Sequence, residues 1–241
     1  MLKYILSFLL FASVMFSQSE SQIGWIAKFG AAGGFSPMIM FPNYDDVNVE
    51  ISKLGMNNLE GPIVAWGGGG YAYVMIIDNL RLGGIGFSGS KSASSNFNNL
   101  NNEVNYSLGG GAATIEYTMP FVKNMALSAG LMIGGGSLDI DVYQNAGEIG
   151  WNQVWDEIIS GSDSDNKEFS MQHSFFFLTP TVNLDFPITR FLAIRGGVGY
   201  QFTFGSDWEI ANGKELRNIS LGLNGDGFII QTGILIGLFA F

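Results

Sequence analysis

Not one of the 241 residues is a cysteine. That removes disulfide frameworks, thiol catalysis and cysteine-ligated metals, and leaves no cysteine for a lipid anchor behind the N-terminal apolar run. Histidine is almost as scarce, with His173 alone. Charged residues make up 13%, and the balance of 11 Lys+Arg against 21 Asp+Glu leaves a net charge of −10. Such a chain repels a polyanion, so nucleic acid is not expected as a partner. The most telling absence is a long apolar run. Beyond the first residues no segment approaches the ~18 consecutive apolar residues of a membrane-spanning helix. Yet 47% of the chain is hydrophobic, 14% is aromatic, 34 residues are glycine, and the mean hydropathy is +0.24. Apolar content without apolar runs is the signature of strands that show every second side chain to lipid.

The N-terminus reads as a signal peptide. Met1-Leu2-Lys3 is a short positive region, residues 4–16 are apolar, and Ser17-Gln18-Ser19 are small residues suited to cleavage. The apolar stretch is shorter than the ~20 residues of a spanning helix. The expected organisation is a signal peptide at 1–19 and one barrel domain at 20–241.

Period-2 alternation predicts eight strands, near residues 23–35, 63–75, 80–90, 104–119, 125–143, 169–186, 191–204 and 228–241. The connections at 76–79, 120–124 and 187–190 are tight, whereas those at 36–62, 91–103, 144–168 and 205–227 are long and polar. Short and long alternate strictly. Outer-membrane barrels sort their loops this way, short at the periplasm and long outside, which puts both termini at the periplasmic end. Two long loops carry helical patterns. Val47, Ile51 and Leu54 follow Asp45-Asp46 and precede Gly55; Trp151, Trp155, Ile158 and Ile159 precede Gly161. Such helices either cap the mouth or lie in the membrane interface, and the two tryptophans favour the interface for the second. Near the C-terminus, residues 216–223 could add a hairpin arm before the turn signal Asn224-Gly225-Asp226-Gly227.

The last strand carries a resemblance. Leu235, Phe239 and Phe241 alternate to a terminal aromatic, and this resembles the closing strand of bacterial outer-membrane β-barrels. The whole pattern resembles the small OmpA/OmpX-like class, in architecture only. The resemblance implies an all-β, antiparallel up-and-down transmembrane barrel in the bacterial outer membrane. Outer-membrane lipid and the barrel-assembly machinery would be its partners, and it would be a monomer; no functional residues come with it. Ile234, Ile236 and Leu238 on the other face are apolar too, which implies a partly greasy lumen or packing inside.

Parity assigns a lumen charge network. Asp185 and Arg195 flank the turn at 187–190 with the parity to face each other. Arg81 follows one periplasmic turn and Glu116 precedes another, so all four belong to the periplasmic third. Lys28 has the parity to join them nearer the middle. Charge in a low-dielectric lumen must be paired, so the expected role is structural. Eight strands leave a bore that side chains just fill, which argues against a diffusion porin. Glycine clusters such as Gly67–Gly70, Gly109–Gly111 and Gly134–Gly136 relieve crowding in a narrow barrel, or leave room for an inserted loop or an apolar ligand.

Chemistry finds little purchase. His173 lies beside Ser174 and near Ser170, but adjacent residues of a strand face opposite ways and Ser170 has the wrong parity for a dyad. The run Asp163-Ser164-Asp165-Asn166 with Glu168 resembles a calcium loop loosely, without its spacing or its glycine. The other loop acids, Asp45, Asp46, Glu50, Glu60, Asp156 and Glu157, keep a greasy chain soluble in transit. No cofactor, metal or catalytic residue is expected. The sequence points to a non-enzymatic barrel with a structural or surface-interaction role through its long outer loops. Binding or passage of a small apolar ligand through a glycine-lined lumen is the alternative, and lipid modification a remoter one. The protein is expected to fractionate with the outer membrane and to shift its gel mobility on heating; recovery as a soluble monomer without detergent would contradict this.

Overall fold

The computed structural model describes residues 29–240, apart from 98–99, 121, 123–124, 149, 162–165, 206, 211–212 and 221. The signal segment 1–19, Lys28, Phe241 and the acidic positions Asp163 and Asp165 lie outside the described residues. The order is β1 (Phe29–Phe35), β2 (Met38–Pro42), α1 (Asp45–Lys53), β3 (Ile63–Tyr73), β4 (Leu80–Phe97) and β5 (Leu100–Thr118). There follow β6 (Ala126–Asn145), α2 (Trp151–Ser160), β7 (Lys167–Pro187), β8 (Leu192–Phe204), β9 (Trp208–Ile210), β10 (Lys214–Leu216) and β11 (Gly227–Ala240).

The sheet closes on itself. β1 and β2 each pair with both β3 and β11, so together they form one stave interrupted at Ser36-Pro37. The ladder carries across the break, with Ser36 donating to the Gly67 carbonyl and Thr232 to the Pro37 carbonyl. β3 through β8 pair consecutively and β8 pairs with β11, giving an antiparallel ring of eight staves. β9 and β10 form a small extra hairpin attached to the upper end of β7. Its arms are 208–210 and 214–216, at the N-terminal edge of the 216–223 stretch where the sequence pattern suggested an arm.

Cross-strand register fixes the membrane zone. Along β7 the outward Phe176, Val182, Leu184 and Phe186 are exposed and apolar, while Phe177, Thr179, Asn183 and Asp185 are buried. That apolar stretch matches the ~9–11 residues a tilted strand needs to cross. On β8 and β11, Ile194, Val198, Phe202, Phe204, Ile234 and Ile236 continue the belt. Above it the outward positions turn polar in register. Ser88, Gly109, Ser137 and Ser174 pair in sequence across four strands; Ser90, Ser107, Asp139 and Gln172 form the next row, and Ser92, Asn105, Asp141 and Ser170 the one after. The β4–β5 and β6–β7 hairpins therefore stand well clear of the hydrocarbon.

Two expectations change. Residues 91–97 and 100–103 are strand and not loop, because β4 and β5 stay paired from Lys91↔Tyr106 up to Phe97↔Leu100. Their outer face lies in water, so the sequence there reads as polar although the ladder continues. On the closing strand Leu235 points into the barrel and is 1% exposed, while Ile234, Ile236 and Leu238 face outward. The reason is pairing: Ile234 sits opposite Phe35 and Ile194, both outward, and cross-strand partners share a face. No greasy lumen is needed to explain these side chains. Phe239 pairs with Gly30 in the same closing ladder.

The glycines divide by face. A Cβ at inward Gly83 would strike the Gly70 carbonyl and come within 2.8 Å of Thr114 Oγ1 and 3.0 Å of Tyr71 Cα. At outward Gly86 the nearest atom would be 3.9 Å away. Inner glycines thus let the walls of a narrow barrel approach, while outer Gly86, Gly111 and Gly135 carry no such steric need; outward Gly70 is an exception, since a Cβ there would sit 2.5 Å from the Ala32 carbonyl. Gly83→Ala should destabilise the barrel by about 1–3 kcal/mol through overpacking. Gly86→Ala should be neutral or stabilise by about 0.4–1 kcal/mol. Urea unfolding in lipid vesicles measures both; equal losses would refute the face assignment.

Candidate functional site

The lower bore is closed by four charged side chains on four strands. Arg81 of β4 stands opposite Glu116 of β5, and Asp185 of β7 opposite Arg195 of β8. All four are buried. Arg81 Nη2 lies 2.9 Å from Glu116 Oε2, and its Nη1 lies 2.5 Å from Asp185 Oδ2. Arg195 Nη1 lies 3.0 Å from Glu116 Oε1, and its Nε lies 2.6 Å from Asp185 Oδ1. Each cation touches both anions, so the quartet is a neutral ring of alternating charge spanning the bore. Neutrality and contact with opposite charge are what a low-dielectric interior requires of buried ions.

A second layer holds the ring in place. Tyr71 donates its hydroxyl to Asp185 Oδ2 at 3.2 Å, and Asn183 donates to Glu116 Oε1 at 3.1 Å. Ser128 Oγ accepts from Arg81 at 2.5 Å. The Tyr71 ring lies 4.3 Å from the Arg81 guanidinium carbon and 4.8 Å from that of Arg195, within cation–π range of both. Glycines make the space. A Cβ on Gly130 would sit 2.7 Å from Glu116 Cγ, and one on Gly197 would collide with Asn183 Oδ1. The sequence pattern identified the four ions but not Tyr71, Ser128 or Asn183. Their inward parity was the available signal.

Above the ions the bore turns apolar. Phe177 packs tilted against Phe87 and Phe175, with centroids 6.0 and 6.2 Å away, among buried Met38, Leu108 and Leu138. The first outer loop then folds inward over them. α1 buries Val47 and Ile51, and the chain after it buries Met56 and Leu59. Asn48 clamps that chain, accepting from the Leu59 amide at 2.8 Å and donating to its carbonyl at 3.1 Å. Tyr44 meets Tyr106 edge to face at 5.1 Å, and burial pushes the Tyr44 phenol up to about 12. α2 behaves oppositely. None of its residues is buried, and Trp151, Trp155, Ile158 and Ile159 are exposed.

The remaining candidates serve packing. His173 is buried, stacked on Trp208 at 5.2 Å, with Nδ1 3.0 Å from the Asp207 carbonyl. Ser170 and Ser174 are exposed on the opposite face. Among the described residues no group of three or more His, Asp and Glu is placed to hold a metal.

No family model matches the chain, and no curated protein does. Among solved structures it is similar to the outer membrane protein OprG from Pseudomonas aeruginosa, at 11% identity and TM-score 0.46, over 90% of this chain and 98% of that one. It is also similar to Ail, the attachment invasion locus protein of Yersinia pestis, in complex with the heparin analogue sucrose octasulfate. Identity there is 8% and TM-score 0.41, over 87% of this chain and 99% of that one. A major outer membrane protein from Thermus thermophilus aligns at 9% identity and TM-score 0.39, over 87% of this chain and 99% of that one. The chain's own anatomy makes it an outer-membrane β-barrel: a closed ring, an apolar belt outside and paired charge within.

Arg195→Leu removes one cation and leaves a buried net negative charge, which should cost about 3–5 kcal/mol. The double change Asp185→Leu/Arg195→Leu leaves the Arg81–Glu116 pair intact and should cost clearly less. Urea unfolding in vesicles compares them, and equal losses would show the ring to be uncoupled.

Proposed function

We propose that this barrel is a non-enzymatic, non-conducting outer-membrane protein whose interactions are carried by its folded outer half. The observation behind this reading is the filled bore. A neutral ionic ring fills it below and packed aromatics with α1 fill it above, which favours a barrel that passes no solutes. The glycines of the inner wall support it as well, since a Cβ at most of them would meet neighbouring backbone or side chains. The outer hairpins and the exposed apolar stripe of α2 supply contact surface where a partner can reach it. In this reading the protein is a monomer, placed by the barrel-assembly machinery and held by outer-membrane lipid around its belt. His173 is taken up by Trp208 and a backbone carbonyl, which favours a non-catalytic role.

Two measurements test it. The purified barrel in planar bilayers should give no stable conductance steps; reproducible steps would overturn the sealed-bore reading. Cells lacking the protein should regain their surface properties from the full chain but not from a version with 92–105 and 146–166 replaced by short turns. Rescue by that trimmed barrel, folded by its heat-dependent mobility, would return the function to the bore.

A further inference from the structure

An open cavity of about 380 Å³ lies in the outer half, between α1, the inner faces of β5, β6 and β7, and residues 218–220 and 223. Its floor and walls are Val47 and Ile51 of α1, Val104 of β5, Ile140 of β6, Met171 of β7 and Trp208 of β9. Ile140 pairs with Tyr106 and Met171, above the row of Ser137 and Ser174 that ends the lipid belt. The cavity is therefore reached from the external solution and not from hydrocarbon. An apolar hollow of this size facing water is the ordinary form of a small-molecule site.

The site is built and not left over. Trp208 is 4% exposed and held flat against His173. Ile219 and Leu223 supply the outer wall. The segment that carries them is tied to α1 by Ser220, whose hydroxyl donates to Asp46 Oδ2 at 2.7 Å. The charged side chains lining the cavity are both carboxylates, Asp46 and Glu50. Glu50 is engaged by Lys53 at 2.7 Å on the helix surface. Asp46, beside Asp45, accepts from Ser220 but pairs with no cation among the described residues, and is the anionic contact at the rim.

We propose that this cavity binds a small cationic amphiphile, with its alkyl or aryl body among Val104, Ile140, Met171 and Trp208 and its ammonium at the Asp46 carboxylate. The apolar walls supply affinity, and the carboxylate selects the charge of the head group. The proposal rests on the reading that places function in the outer half, and the two fail separately. Conductance would sink that reading without touching the pocket, whereas a silent barrel that binds nothing would sink the pocket alone.

The test uses the full mature chain in nanodiscs of zwitterionic lipid, titrated with 3-phenylpropylamine, 3-phenylpropanol and 3-phenylpropionate. Tryptophan fluorescence and calorimetry are read against empty nanodiscs. The amine should bind saturably at one site, about tenfold tighter than the alcohol, with the carboxylate weaker still. Asp46→Asn should bring amine and alcohol to within about threefold of each other. Ile219→Trp should fill the cavity and abolish binding of all three; if that variant lacks the heat-dependent mobility of a folded barrel, Val142→Trp replaces it. Absence of saturable binding, equal affinity for the three probes, or unchanged binding in a folded cavity-filling variant would each overturn the proposal.

Discussion

A backbone crossing hydrocarbon has no water to bond with, so every N–H and C=O must find a partner in the chain itself. In this protein that demand is met by bringing β11 back to the β1–β2 stave, and much of the structure follows from the closure. A ring of only eight staves has a tight inner radius. Inward positions such as Gly83, Gly130 and Gly197 must then be glycine, because a Cβ there meets a carbonyl or a neighbour's side chain. Closure also fixes parity around the whole ring, since a slip of one residue would turn every inward side chain into lipid.

Parity makes the ionic ring possible and gives it consequence. Arg81, Glu116, Asp185 and Arg195 are acceptable inside only because each ion is paired twice and because Tyr71, Ser128 and Asn183 take up further hydrogen-bonding capacity. Ion pairs of this kind are weak sources of net stability, because desolvation offsets most of the attraction. What the ring supplies instead is exclusion. A register error that carried any one member outward would place a charge in lipid and strand its partners inside. The same four residues that fill the bore therefore also disfavour the wrong barrel.

The membrane zone was the legible part of the sequence. Strands expected at 63–75 and 191–204 appear as Ile63–Tyr73 and Leu192–Phe204, because alternation there is enforced by lipid on one side and a packed bore on the other. Above the membrane that enforcement ends. Water accepts Ser92, Ser94 and Asn96 on the outer face of β4, so a paired ladder looks like a loop. The closing strand misled for a related reason: Leu235 and Ile234 are both apolar, and only their partners across the ladder say which faces lipid. In the ionic ring the Asp185–Arg195 pair was readable across a short turn. The contact of Arg81 with Asp185 crosses the bore between strands far apart in sequence, and no local pattern encodes it.

The outer half obeys different rules from the belt. There the sheet has water outside and an apolar core inside, as in a soluble protein, and α1 with Met56 and Leu59 completes that core. The helix pattern of Val47 and Ile51 was visible in the sequence, but its destination was not, because a lumen and an interface ask for the same amphipathic stripe. What decides is attachment. Asn48 clamps the chain after α1 to Leu59, and Ser220 ties α1 to the last outer loop, while α2 has no buried residue to hold it down. One helix is thus part of the wall and the other is presented to the outside, although their sequences announce them in the same way.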